Sequence, residues 1–90
     1  MKQYLHIGFC WSAPPDLKAL EEKFNKSIDW VRYSKECWIV WTSSDPNTWY
    51  NRLKPLLKEN DDIFIVKIDI NVRQGWLPTW IWDWVKEKRN

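Results

Sequence analysis

The apolar and polar positions of the chain group into segments with the patterns of strands and helices. An unbroken apolar run from Cys37 to Trp41 combines aromatic and β-branched residues and ends at Thr42, Ser43 and Ser44. Such a run, bounded by polar turn residues, is typical of a strand that is buried on both faces. We therefore expect it to lie inside a sheet, with a neighbouring strand on each side.

Three other segments have strand patterns. Residues 4–11 alternate strictly, so their odd-numbered side chains form one strongly apolar face. Residues 30–33 form a shorter, more polar strand, and the tight turn at 34–36 makes it an antiparallel neighbour of the central run. Residues 63–70 are apolar on both faces in their first half and alternate in their second half, which indicates a half-covered strand.

Two segments between these strands have the spacing of amphipathic helices. Asp16 begins the first helix, and its apolar positions are spaced by three and four residues. These positions are Leu17, Leu20, Phe24 and Ile28. The second helix begins at Pro46 after a cap at Ser44 or Asp45, and it buries Trp49, Leu53, Leu56 and Leu57. We expect the internal Pro55 to bend this helix without dividing it.

The terminal segment 78–88 fits two structures. As a strand, it would place Trp80, Trp82 and Trp84 on one face. As a helix from Pro78, it would leave Trp82 and Asp83 outside and bury five residues: Leu77, Trp80, Ile81, Trp84 and Val85. Proline at a first-turn position and the basic ending favour the helix.

The predicted order of elements is strand, helix, strand, strand, helix, strand and terminal helix. Right-handed crossovers and the tight central hairpin favour one arrangement for this order. It is an α+β, ferredoxin-like βαββαβ sandwich, in which a four-stranded antiparallel sheet carries two helices on one face. The Trp-rich C-terminal helix is added to it. The first and third strands are central in this arrangement, and they are the most apolar strands of the chain.

Composition limits the class of protein. Ninety residues form one domain, residues 1–90, and the net charge of +2 is too small to identify a nucleic-acid binder by itself. The apolar runs are too short to span a membrane and the N-terminus does not lead into a signal-peptide core, so we expect a cytoplasmic protein. The 9 tryptophans fit either a core and oligomer interface or stacking platforms for bases.

The predicted fold leaves the second face of the sheet without cover. This face carries Tyr4, His6, Cys10 and one side of the central run. An open apolar face of this kind is usually an interface, so either the terminal segment or a second copy of the chain covers it. A two-fold homodimer is the simplest assembly, and we expect it.

The topology also predicts a cluster of side chains at one edge. The first and second strands run parallel, so the end of the first strand meets the hairpin at 32–35. Five residues should lie together there: Cys10, Trp11, Tyr33, Lys35 and Cys37.

Several segments of the chain form a recognisable combination. Leu53-Lys54-Pro55-Leu56 is followed by Asn60-Asp61-Asp62, and the combination also includes the segments 30–33, 37–43, 63–67 and 83–85. Together they resemble a known family, the small CRISPR-associated adaptation subunit and its SinR-like relatives. The likeness covers most of residues 4–86, and its most specific part is the first two of these segments.

The resemblance implies a ferredoxin-like homodimer that is either a metal-dependent nuclease or a non-catalytic scaffold that holds DNA. In the nucleases, an aspartate at the end of the first strand binds the metal at the dimer seam. Here that place reads Phe9-Cys10-Trp11, and the next carboxylate is Asp16. Because magnesium needs hard oxygen ligands, the resemblance implies that the catalytic residue is lost. We therefore assign no catalytic residues, no metal ligands and no cofactor.

The remaining functional signal is basic groups among aromatic rings. One predicted rim carries Trp11, Arg32, Tyr33 and Lys35, and another carries Arg73, Trp76 and the basic residues 86–89. Arginine and lysine contacts to phosphate beside a stacking ring would suit DNA or RNA. The alternative is a solvated rim next to buried tryptophans.

Other chemistry-bearing residues have simpler interpretations. His6, the only histidine, is expected to be a packed or interface residue, since no nucleophile and carboxylate complete a triad around it. Cys10 and Cys37 are expected to be buried free cysteines, with a redox pair as the alternative, because two thiols without further ligands do not form a zinc site. Asp61 and Asp62 are a carboxylate pair at a turn, where solvated acids are common.

Three functional hypotheses follow. The first is a catalytically silent dimer that binds nucleic acid or acts as a scaffold. The second is a metal-dependent nuclease that uses Mg²⁺ and a displaced carboxylate, such as Asp16 or Asp69. The third is a module that binds a protein partner.

Overall fold

The computed structural model describes residues 1–87 of the chain, and its elements follow the predicted order. In chain order they are β1 (Gln3–Cys10), α1 (Leu17–Phe24), β2 (Asp29–Ser34), β3 (Cys37–Thr42), α2 (Pro46–Leu53), a 3₁₀ turn (Lys54–Leu56), β4 (Asp62–Ile68) and α3 (Thr79–Glu87). The protein is thus α+β. No helix within residues 1–87 has the length and apolarity needed to cross a membrane.

The four strands form one open antiparallel sheet in the order β2-β3-β1-β4. The first and third strands are therefore the inner ones, as predicted. The pairing of β1 is regular on both sides, with Ile7 opposite Trp38 on β3 and opposite Ile65 on β4. The β2–β3 pairing contains a register shift between Arg32 and Ser34.

The face of the sheet that carries Leu5, Ile7 and Phe9 is covered by the first two helices, and we call it the α1/α2 face. Its centre is aromatic: the ring of Phe24 stacks on Trp38 at 4.9 Å and on Trp49 at 5.8 Å between centroids. Such pairs add to the stability that burial alone gives. The indole N–H of Trp49 donates to the hydroxyl of Thr42 over 3.1 Å, which satisfies a buried polar group inside this core.

The central run is buried on both faces of the sheet, as its sequence predicted. Trp38 and Val40 belong to the core of the α1/α2 face, whereas Ile39 packs on the opposite side with Tyr4, Val31 and Ile81. All three residues from 38 to 40 are buried. This segment is therefore the strand on which both layers of the protein pack.

Helix α1 is shorter than its apolar spacing predicted. It begins after Asp16, whose side chain caps it. It ends at Phe24, whose carbonyl accepts a hydrogen bond from the hydroxyl of Ser27. Ile28 lies beyond the helix, is 53% exposed, and donates its N–H to the carbonyl of Trp41. The expectation that Ile28 continues the buried stripe is wrong, because the chain has already turned toward β2.

The proline in the second helical segment changes the type of helix. The α-helix ends at Leu53, and Lys54–Leu56 form a 3₁₀ turn instead of a bent continuation of α2. The expectation of one continuous bent helix is therefore wrong. Pro55 has no N–H to donate to the preceding turn, and the tighter turn closes with a bond from Leu57 N–H to the Lys54 carbonyl.

The C-terminal segment is a helix, as Pro78 and the basic ending favoured. Ile81 and Val85 are 1% exposed and face the second side of the sheet, which we call the α3 face. Trp84 is half-buried beside them, whereas Trp80 is 57% exposed. The expectation that Trp80 is buried is wrong, since successive helical residues point about 100° apart and Ile81 already faces the sheet.

Helix α3 covers only part of its face. The hydroxyl of Tyr4 donates to the carbonyl of Val85, and Tyr4, Val31 and Ile39 lie under the helix. Toward the other end of β1 and β4, Cys10 is exposed and Phe64 is 65% exposed. The expectation that Cys10 is buried is wrong, because it is the last residue of β1 and lies beyond the part of the face that α3 covers. The α3 face is therefore closed at one end and open at the other.

Candidate nucleic-acid interface

The end of β1 meets the β2–β3 turn, as the topology predicted. The N–H of Phe9 donates to the carbonyl of Glu36 over 2.9 Å. Glu36 also holds Trp11, because the N–H of Trp11 donates to the Glu36 carboxylate over 3.2 Å. These bonds bring the candidate residues of the first rim into one region of the molecule.

The first rim does not present its side chains on one surface. Trp11 stacks on Phe9, with ring centroids 4.2 Å apart and planes 15° apart, so one face of its indole is covered. Arg32 lies over the ring of Trp38 at 5.0 Å and donates to the carbonyl of Lys35 over 2.8 Å. Both side chains lie on the α1/α2 side of the sheet.

Tyr33 lies on the opposite face from Arg32, because successive strand residues point to opposite sides. Its phenol shares a hydrogen bond with Nε2 of His6, and it is also hydrogen-bonded to the side chain of Cys37. Gly8 lies between His6 and Cys37, and a Cβ at Gly8 would come within 3.3 Å of the imidazole. We call His6, Tyr33 and Cys37 the polar trio.

Burial sets the protonation of the polar trio. Burial lowers the pKa of His6 below 6.5, so the imidazole is neutral at pH 7. Burial, followed by the hydrogen bond and charge of Cys37, raises the pKa of Tyr33 to about 12, so the phenol keeps its proton. A neutral imidazole with its proton on Nδ1 accepts a hydrogen bond from the phenol O–H at Nε2. These groups therefore carry no positive charge that would attract a phosphate.

The second group of candidates lies in the chain that follows β4. Trp76 is 99% exposed. Arg73 is exposed, lies 5.9 Å from the ring centroid of Trp82, and donates to the carbonyl of Ile70 over 2.9 Å. Lys86 is exposed on α3, and the predicted basic residues Lys88 and Arg89 lie outside the described residues.

The first rim and the end of β4 lie at opposite ends of the strands. The register places Cys10 opposite Asp62 and Tyr4 opposite Ile68, and the six residue steps between them along β1 correspond to about 20 Å. The chain after β4 returns over the α3 face, where Leu77, the neighbour of Trp76, packs on the same cluster as Tyr33 of the first rim.

The carboxylates proposed for a nuclease have structural partners. Asp16 caps α1 by accepting the N–H of Ala19, and Asp69 accepts the N–H of Asn71. Asp61, from the carboxylate pair at the turn before β4, accepts the N–H and hydroxyl of Ser12, both over 2.7 Å, and these hydrogen bonds hold its pKa below its usual value. Within residues 1–87, no group of three or more His, Cys, Asp or Glu side chains has the geometry to hold a metal.

Two features of the α3 face were not predicted as sites. The polar trio follows from strand register, since residues 6 and 8 of β1 share a face with residues 33 and 37 of the hairpin. Phe64 is exposed because β4 is an edge strand of the sheet. The unbroken apolar run Ile63–Val66 in β4 was the feature of the sequence that could have indicated this exposed apolar residue.

Comparison of the chain with protein-family models, with curated proteins and with solved structures found no match.

Proposed function

We propose that this protein is a non-catalytic, dimeric scaffold that binds single-stranded nucleic acid. We further propose that it has a ferredoxin-like fold and is related to the small CRISPR-associated adaptation subunit and its SinR-like relatives. The segment after β4, residues 71–87 together with the basic C-terminal residues, is the proposed contact.

The strand order supports the proposed fold. The order β2-β3-β1-β4, with every neighbouring pair antiparallel, is the order expected for a βαββαβ sandwich. The helices that follow β1 and β3 pack on the same face of the sheet, through Leu20 and Phe24 of one and Trp49 and Leu53 of the other.

The exposure of Trp76 is the observation that carries the proposed function. A tryptophan that is 99% exposed removes no apolar area from water, so folding gives no reason for its size. Trp80 in the same segment is 57% exposed. Exposed aromatic rings are platforms on which unpaired bases stack, with little preference for sequence.

The distribution of charge supports the same location. Residues 1–70 contain ten basic and ten acidic residues, whereas residues 71–90 contain four basic and two acidic residues. The whole net charge of +2 therefore belongs to the segment that carries Trp76. Arg73 is three residues from Trp76, and an arginine beside a stacking ring supplies a phosphate contact.

The first rim is a weaker candidate for this contact. Trp11 already stacks on Phe9, and the Glu36 carboxylate lies beside it. A carboxylate repels phosphate, and a ring with one covered face offers less stacking area. We therefore assign the contact to the segment after β4 and assign the first rim a structural role.

The test is a binding titration of the full chain with labelled single-stranded DNA and RNA, followed by fluorescence anisotropy at increasing salt. Trp76→Ala should weaken binding by roughly 5- to 100-fold, because stacking on one ring contributes about 1–3 kcal/mol per base. Val72→Ala is the matched control, since Val72 is 82% exposed in the same loop. Absence of wild-type binding at low salt would refute the proposal.

The same samples distinguish the scaffold from a nuclease. The labelled strands are incubated with Mg²⁺ or Mn²⁺ and separated by gel electrophoresis. We expect intact strands. Cleavage that disappears in Asp16→Ala or in Asp69→Ala would instead identify a metal-dependent nuclease with a displaced carboxylate.

A further inference from the structure

The two edges of the sheet differ in how well they are protected. Strand β2 has a register shift at its Arg32–Ser34 end, and charged Asp29 and Arg32 lie along it. Strand β4 pairs regularly with β1 over its full length, and its two charged residues, Asp62 and Lys67, enclose the uncharged run Ile63–Val66. Natural proteins usually blunt such an edge with charges, bulges or proline, because it readily pairs with another strand.

The register identifies which backbone groups of β4 face outward. Phe9 N–H points to β3, so the backbone groups of its neighbour Gly8 point to β4. Gly8 pairs with Phe64, and the direction of the backbone groups alternates along a strand. The N–H and C=O groups of Ile63, Ile65 and Lys67 therefore point away from the sheet, along an edge of three accessible residues.

Two grooves flank this edge, one on each face of the sheet. A groove of about 260 Å³ lies beside α2 and is lined by Pro46, Asn47, Tyr50, Ile63 and Ile65. A groove of about 170 Å³ lies at the open end of the α3 face and is lined by Gly8, Phe9, Cys10, Asp62, Ile63 and Phe64. A strand added at this edge would direct its alternate side chains into the two grooves. Its main chain would form hydrogen bonds with β4, and its side chains would contact the groove residues.

We propose that β4 pairs antiparallel with β4 of a second copy, about a two-fold axis at Phe64, to form a continuous eight-stranded sheet. This inference rests on the dimeric state in the proposed function and specifies its interface. The register pairs Phe64 with its own copy and Ile63 with Ile65, so the three central apolar side chains meet apolar side chains, and it places Val66 opposite Asp62.

Charge favours this register over its neighbour. With the axis at Phe64, Asp62 lies opposite Val66, whereas Lys67 lies opposite Asp61, which precedes β4 and whose carboxylate accepts hydrogen bonds from Ser12. With the axis at Ile65, Lys67 would lie opposite Ile63 and Asp62 opposite Ile68, so both charges of the strand would face apolar side chains. The register centred on Phe64 therefore places fewer charges against apolar side chains, and it has the symmetry that a two-fold interface requires.

The first test is the molar mass of the full chain by light scattering over a wide range of concentration. Wild-type protein should be a dimer, and Phe64→Lys should raise the dimer dissociation constant roughly tenfold to hundredfold, since it removes an apolar contact and opposes two like charges. Ile28→Lys is the matched control, because Ile28 is 53% exposed next to the other edge strand and should leave the dimer unchanged.

The second test is cross-linking and does not depend on the stability of the lysine variant. Residue 64 would face its own copy in a pair without hydrogen bonds, with Cα atoms about 4.5 Å apart, which suits a disulfide. In a Cys10→Ser, Cys37→Ser background, Phe64→Cys should form a dimer on oxidation, whereas Lys67→Cys should not.

The outcomes separate this inference from the proposed function. A wild-type dimer that Phe64→Lys does not weaken, or a Phe64→Cys variant that does not cross-link, would overturn the edge pairing. Neither result would affect the proposed nucleic-acid binding, because the anisotropy titration tests that proposal separately. A wild-type monomer at every concentration would overturn both the pairing and the proposed dimeric state.

Discussion

The polar trio shows how single side chains are fixed by strand register. His6, Tyr33 and Cys37 come from three strands, and their hydrogen bonds form because register places them on the same face. The imidazole is neutral in the folded chain, since burial lowers its pKa below 6.5. This shift makes the stability of the protein depend on pH.

The pKa of His6 predicts the direction of that dependence. In the unfolded chain the imidazole takes up a proton near pH 6.5, whereas the folded chain binds it only at lower pH. Stability should therefore fall as the pH is lowered through the window around pH 6.5, and it should stop falling once the folded imidazole is also protonated. Urea unfolding at several pH values measures this.

His6→Gln is the control for the pH measurement, because His6 is the only histidine of the chain. The variant should lose most of the slope in this window, where Asp and Glu carboxylates remain ionised. A variant with the same slope as wild type would contradict the assignment of the slope to His6.

The helices show which features of an element a sequence pattern specifies. Apolar spacing located the first two helices, and Asp16 and Pro46 located their starts, whereas Pro78 and the basic ending favoured a helix for the third segment. The pattern did not locate the end of α1, because Ile28 keeps the helical spacing although the chain has already turned. It also did not specify that Pro55 would lie in a 3₁₀ turn, since that depends on how the chain returns to β4.

Helix α3 provides a test of which helical residues face the sheet. Ile81 is 1% exposed and packs on the α3 face, so Ile81→Ala should lower the free energy of unfolding by about 2–5 kcal/mol. Trp80→Ala removes a larger side chain that is 57% exposed, and it should cost less than about 1 kcal/mol. Chemical denaturation of both variants measures the difference. Equal losses would show that the helix packs on another face.

The whole molecule has a closed aromatic core on one side of its sheet and an incompletely covered face on the other. The two-sided burial of residues 37–41 predicted the sheet, and residues 38–40 are indeed buried. The candidate site was less predictable. Sequence alone placed Trp11 in the same category as Trp76, and only packing separates them, because Trp11 stacks on Phe9 whereas Trp76 is 99% exposed.

The central claim is that the segment after β4 holds single-stranded nucleic acid. Ultraviolet cross-linking of the full chain to a labelled single strand, followed by mass spectrometry of the digested peptides, tests it most directly. We predict cross-links in the peptide that carries Trp76, at low salt and fading as salt rises. Cross-links confined to the peptides of Trp11 or Tyr33, with none at Trp76, would contradict the claim.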